Sequence, residues 1–167
     1  MIVALLRVSA LATCLVFAVL IALDSGLHTE QAARGIVSFE LAGSRAADVL
    51  AGWSEAQRRD ALLLQGLDYL FIVAYATLLA TASLALAARL DERAPRLRRL
   101  GRAAAWGAVL AGAADVVENV PLILMLRSGV ASPTGAAIAQ ASALLKFGLL
   151  LAVVAYLVCA RAVARLR

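Results

Sequence analysis

Five side chains stand where an apolar helix should hold none: Asp68, Asp115, Glu118, Asn119 and Lys146. Each lies in a stretch otherwise built mostly of Ala, Leu, Val, Ile and Gly. A charged side chain at the centre of a membrane helix costs about 2.5–3.5 kcal/mol on insertion scales, so it is kept facing protein or water and is commonly functional. Asp115, Glu118 and Asn119 follow i, i+3, i+4 spacing and share one helix face. Ser142 and Lys146 share a face at i, i+4, while Gln65, Asp68, Ile72 and Tyr75 form a stripe on another helix. If all of them ionise, the three carboxylates exceed the one ammonium by about two negative charges, which a proton, water or a bound cation must offset. The chemistry this predicts is binding or transport of a proton, a cation or a small amine-bearing molecule. Asp68, Asp115 and Glu118 would supply charge, Asn119 a neutral hydrogen-bonding group, and Lys146 an exchanging counter-charge. Two other readings compete. Asp115 or Glu118 would act as general acid or base on a lipid or isoprenoid. Alternatively, the cluster is an ion-pair network that registers the helices, or a patch that docks a partner helix.

Other polar residues take lesser parts. Tyr69 and Tyr75 either pack or donate hydrogen bonds to the cluster. Glu40 either reaches it from a neighbouring loop or remains a solvated loop acid, the commoner fate. His28 has no second histidine, so no metal is expected. Cys14 and Cys159 have no CxxC partner and read as small apolar core residues. Phosphate loops, catalytic triads and Cys/His pairs are absent from the sequence, and no cofactor is implied.

These residues need helices to position them. Of the 167 residues, 63% are hydrophobic and 16% charged, with mean hydropathy +0.90. Soluble domains average roughly 45–50% apolar. Four stretches, about 2–23, 61–88, 103–126 and 136–160, are long enough to cross a ~30 Å hydrocarbon core as helices. The first is expected to be a retained span, since it exceeds the ~7–15 apolar residues of a signal peptide and no clean cleavage site follows. Pro121 removes the donor to the Val117 carbonyl and predicts a kink. Gly112, Ala111 and Ala108 permit close helix approach, and small-residue faces of this kind permit a homo-oligomer. At ~1.5 Å per residue, Asp68, Glu118 and Asn119 fall ~10–12 Å from one side of the membrane and Lys146 ~15 Å. The three helices therefore point to one shared chamber.

Orientation follows from arginine, which supplies every basic residue but Lys146. The segment from Arg89 to Arg102 is dense in arginine, and Arg161, Arg165 and Arg167 follow the fourth span. The positive-inside rule places this segment and both termini in the cytoplasm. Trp53 and Trp106 are expected as interfacial anchors at opposite ends of the spans. Arginine usage of this kind suggests a GC-rich bacterial genome and hence the inner (plasma) membrane. The net charge of +5 sits beside the spans, so its expected partners are membrane lipids with anionic headgroups and no nucleic acid. The loop 24–60 is long for a connection. Within it, Ala46, Val49, Leu50 and Trp53 recur at helical spacing, predicting an amphipathic helix over 44–59, N-capped by Ser44, that lies in the headgroups or folds over the bundle as a lid.

The segments Ile36-Val-Ser-Phe-Glu-Leu-Ala42, Leu67-Asp-Tyr-Leu-Phe71 with Ala74-Tyr75, Asp115-Val-Val-Glu-Asn-Val120 and Lys146-Phe147 together resemble an uncharacterised group of small bacterial four-helix membrane proteins. That resemblance carries no activity. In plan the chain is also similar to the sterol-isomerase and sigma-2-receptor superfamily, whose membrane helices set acidic residues around a cationic amine or carbocation. The full motif pattern of that superfamily is missing, so the likeness implies architecture alone. The fold expected is an all-α, single-domain, four-transmembrane-helix bundle with an outer amphipathic lid.

Overall fold

Every apolar stretch folds into one helix, and three of the four helices overrun their apolar part well into polar turns. The computed structural model describes residues 2–90 and 94–165. Asp91, Glu92 and Arg93 of the arginine segment, and Arg167, lie outside the described residues. In chain order the helices are α1 (Ile2–Asp24), α2 (Ile36–Glu40), α3 (Ala46–Ala51), α4 (Glu55–Arg89), α5 (Pro95–Ser128) and α6 (Pro133–Arg165). The long four, α1, α4, α5 and α6, are each long and apolar enough to cross a membrane. The protein is thus an all-α, multi-pass membrane bundle with α2 and α3 as a lid at one end. At 35 residues, α4 is about 50 Å long against a ~30 Å hydrocarbon core, so its polar first turns stand outside the apolar layer.

Local chemistry sets the ends. Ser54 and Gln57 form a capping box that starts α4, each side chain bonding the other residue's backbone N–H. This box corrects the expected helix over 44–59. Only Ala46–Ala51 is helical as α3, the chain turns at 52–54, and 55–59 are the first turns of α4. Ser44 caps nothing; it lies in a tight turn, Gly43–Arg45, ahead of α3. Pro95 opens α5, where its missing N–H costs nothing, and Gly129 closes it with a left-handed φ of 68°. The helix runs unbroken through Pro121.

Packing is inverted relative to a water-soluble bundle. The residues of α5 buried between helices include Gly101, Ala104, Ala105, Ala108, Ala111 and Gly112, whereas Leu110, Val117 and Leu124 face outward. Without a hydrophobic drive between helices in lipid, close approach of small residues does the holding. Cys14 and Cys159 are likewise exposed on the apolar surface, not in the core as expected, because lipid accepts a small apolar side chain as readily as protein does. Helix α5 lies between α4 and α6, α4 touches α6, and α1 packs along α4.

At the end away from the lid, Gly101 marks the tightest crossing. A Cβ there would overlap the Ala87 methyl and lie 2.6 Å from the Tyr156 hydroxyl oxygen. A methyl on a helix backbone has no rotamer by which to yield. Gly101→Ala is therefore expected to destabilise the bundle by about 1–3 kcal/mol, read as a lower unfolding midpoint in detergent. An unchanged midpoint would mean that this crossing is loose.

Candidate functional site

The lid sits where it does because four hydrogen bonds tie it to the bundle. Asp24, at the end of α1, accepts the Ile36 N–H at 2.7 Å and so caps α2. Gly35 makes that approach possible: its φ is 56°, and a Cβ would strike the Asp24 carboxylate. Trp53 Nε1 donates to the Leu27 carbonyl at 2.8 Å, Gln57 Nε2 to Gly26 at 2.9 Å, and Gln140 Nε2 to Leu41 at 2.9 Å. Trp53 is buried edge-on against Phe39, 5.4 Å between centroids, so it is a core residue of the lid and not the interfacial anchor expected. Trp106, 68% exposed on α5, faces outward. Beneath the lid, Phe39, Leu50 and Trp53 form one apolar cluster with Leu122, Met125 and Ala139 of the spans.

This docking carries Glu40, the last residue of α2, onto Lys146. The lysine on α6 meets three carboxylates: Glu40 at 3.4 Å, Asp115 at 3.1 Å and Glu118 at 2.9 Å. All four side chains are buried, with Lys146 6% exposed and Glu118 0%. Glu40 is thus no solvated loop acid. Nothing in its local sequence signals this, because its contact with Lys146 spans 106 positions. Tyr75 donates to the second oxygen of Asp115 at 2.9 Å, which fixes that carboxylate between α4 and α6.

Asp68 stands apart from the lysine. It accepts a 2.7 Å hydrogen bond from Asn119 Nδ2, and no ion pair with it is found among the described residues. Gln65 Nε2, three residues before Asp68 on α4, and Asn119 Oδ1 on α5 are buried without a protein hydrogen-bond partner. All seven residues singled out from the sequence, Glu40, Asp68, Tyr75, Asp115, Glu118, Asn119 and Lys146, therefore fall into two linked groups. One centres on Lys146, the other on Asp68 and Asn119, and α5 bears members of both. Tyr69 takes no hydrogen bond in either group.

A cavity of about 230 Å³ opens beside them. Glu40, Asp68, Tyr75, Asp115 and Lys146 line its polar end. Asp24, engaged by the Ile36 N–H and His28, adds a further carboxylate, and the remaining walls are hydrocarbon, chiefly Phe17, Leu20 and Ile21 of α1, Phe71 of α4, and Phe147 and Leu150 of α6. Because α1 leans on α4 and makes little contact with α6, the cavity lies in the gap between α1 and α6. Sequence reading missed this apolar half altogether: Phe17 and Leu150 look like any other span residue. On the other side of the cluster the bundle is filled by Ala104, Ala105, Ala108, Ala111 and Val153, all buried.

Chemically, the arrangement offers an anionic pocket whose ammonium is already engaged by three acids and whose fourth acid, Asp68, faces the cavity without a cation. No group of three His, Cys, Asp or Glu residues among the described residues is set to hold a metal ion. Comparison with protein-family models, with curated proteins and with solved structures gave no match.

Proposed function

We propose that the protein binds a small amphiphile with an amine or other cationic head, taken from the lipid layer through the gap between α1 and α6. The observation that carries this reading is Asp68. It lines the cavity, its hydrogen bond comes from a neutral amide, and no cation of the described residues pairs with it. Glu40, Asp68, Asp115 and Glu118 against the one lysine leave about three negative charges in excess if all ionise, with Asp24 beside His28 left out of the count, and a bound cation would relieve part of that excess. The apolar walls suit the hydrocarbon part of the same molecule. Binding is favoured over transport in this reading because close-packed alanines fill the bundle beyond the cluster. The same apolar cavity also supports a second reading, acid/base chemistry on a lipid or isoprenoid, with Asp68 or Asp115 as the proton-handling group. A role as a purely structural subunit fits less well with a cavity at the polar cluster. In keeping with the arginine distribution, we assign both termini to the cytoplasm and the lid to the outer face of a bacterial inner membrane.

The test uses purified protein in nanodiscs and two probes of equal chain length, dodecylamine and 1-dodecanol. Dodecylamine is expected to raise the unfolding temperature of the wild type, and Asp68→Asn to weaken that effect about 10-fold or more in concentration, as for loss of a buried charge partner. Dodecanol should do little to either. Equal stabilisation by both probes, or an amine response indifferent to Asp68→Asn, would exclude the reading. Transport is checked in liposomes: proton flux that differs among wild type, Asp115→Asn and Lys146→Met would reinstate it.

A further inference from the structure

The helices α1, α4 and α6 that line the cavity also line a second groove nearer the other end. On α4, Leu64, Asp68, Phe71 and Tyr75 face the cavity, and the same stripe continues through Ala82, Leu86 and Arg89. The positions advance by three or four, or by seven between Tyr75 and Ala82, which keeps them on one side of a helix. Helix α6 repeats the pattern with Phe147 and Leu150 in the lid half, then Leu157, Val158 and Arg161. Farther along the same helix faces lies a second, separate groove of about 390 Å³, closed on the α1 side by Leu6. The α1–α6 side of the bundle thus has carboxylates in the pocket toward the lid and two arginines from different helices in the groove at the opposite end.

We propose that this second groove is a binding site for an anionic phospholipid, with the phosphate on Arg89 and Arg161 and one acyl chain along Leu86, Leu157, Val158 and Leu6. Guanidinium groups on two helices can each donate paired N–H groups to phosphate oxygens, a geometry that a zwitterionic headgroup's ammonium opposes by charge. Arginine stems at such positions can lie along the helix walls while the charged heads reach the headgroup layer. Hydrocarbon walls distinguish a lipid from free phosphate, which would use the arginines alone. One leaflet supplies a chain of ~15 Å, half of the ~30 Å core, which covers about ten residues of α4. A lipid anchored at Arg89 therefore ends near Leu79, short of Tyr75 and the carboxylates. The two sites can be filled together, and this one does not depend on what occupies the other.

The experiment is native mass spectrometry of delipidated protein in detergent. Phosphatidylglycerol and phosphatidylcholine of matched chains are added in turn, and inorganic phosphate in a third arm. Wild type is expected to retain one phosphatidylglycerol with at least about 10-fold preference over phosphatidylcholine, each arginine near the headgroups adding roughly equal attraction. Arg89→Gln and Arg161→Gln should each reduce the preference, and the double variant should abolish it. The control is Arg98→Gln/Arg99→Gln, which removes the same charge at the same end but from a different depression in the surface. It should leave the retained lipid in place. Helical content and Lys146 labelling rate report folding for every variant, and the single variants carry the test if the double one unfolds. Equal losses in the Arg98/Arg99 control would reduce the site to diffuse surface charge. Equal retention of phosphatidylcholine, or displacement of the lipid by inorganic phosphate, would overturn it as well.

Discussion

Lys146→Met is expected to destabilise the bundle by about 3–5 kcal/mol, the usual cost of removing one partner from a buried charge pair. Among the described residues the lysine is the single cation touching Glu40, Asp115 and Glu118, at 3.4, 3.1 and 2.9 Å, and all are buried. Removing it leaves three acids facing one another with only Tyr75 as a donor among the cluster's side chains. The loss should therefore be recoverable by removing charge on the other side. Glu118→Gln alone should destabilise, but Lys146→Met/Glu118→Gln should be more stable than the sum of the two changes predicts, because neighbours in one network are not additive. The triple change that also carries Asp115→Asn should approach wild type, as a neutral replacement of a buried ion cluster often does. Unfolding midpoints in a mixed-detergent titration give the numbers. Strict additivity, or a Lys146→Met protein within about 0.5 kcal/mol of wild type, would show that the acids do not need the ammonium.

Trp53→Ala is expected to open the lid without unfolding the spans. Truncating a buried Trp costs about 3–5 kcal/mol, and here the loss falls on the lid, whose other ties to the spans are the Asp24–Ile36 and Gln140–Leu41 hydrogen bonds, the Glu40–Lys146 ion pair and the apolar contacts beneath it. At about 1.4 kcal/mol per tenfold, even the low end raises the open population by about 100-fold. The readout is built into the chain, since Lys146 is its one lysine and lies beneath the lid. A membrane-impermeant amine reagent, scored by mass spectrometry against the N-terminal amine, should label Lys146 far faster in Trp53→Ala than in wild type. Trp53→Phe keeps most of the packing but leaves the Leu27 carbonyl without its indole donor, so its effect should be about 1 kcal/mol. Unchanged labelling in Trp53→Ala would mean that the lid does not guard the cluster.

How far these features were legible depends on the length scale of the signal. Spans announce themselves because about twenty apolar residues in a row have few other fates, and hydropathy found all four. Helix ends are set by polar chemistry outside the apolar run, so the apolar stretches understate α4, α5 and α6 by several residues. Periodicity carries the expected lid helix across Ser54 because Ala46, Val49, Leu50 and Trp53 keep helical spacing; the capping pair Ser54 and Gln57 instead marks the start of a new helix there. Cys14 and Trp53 failed in opposite directions for one reason. In lipid, hydrophobicity no longer separates inside from outside, so a small apolar Cys is left on the surface while a Trp assigned to the interface is buried under the lid.

Spacing along one chain segment is covalent, and so Asp115, Glu118 and Asn119 had to share a face wherever α5 went. Contacts between helices are not covalent. Which faces meet depends on the rotation and order in which small residues such as Gly101, Ala108 and Gly112 let the helices close. Only that packing could bring Glu40 across 106 positions to Lys146, leave Asp68 to Asn119 instead of the lysine, and hold α1 off α6 so that an apolar crevice reaches the acids.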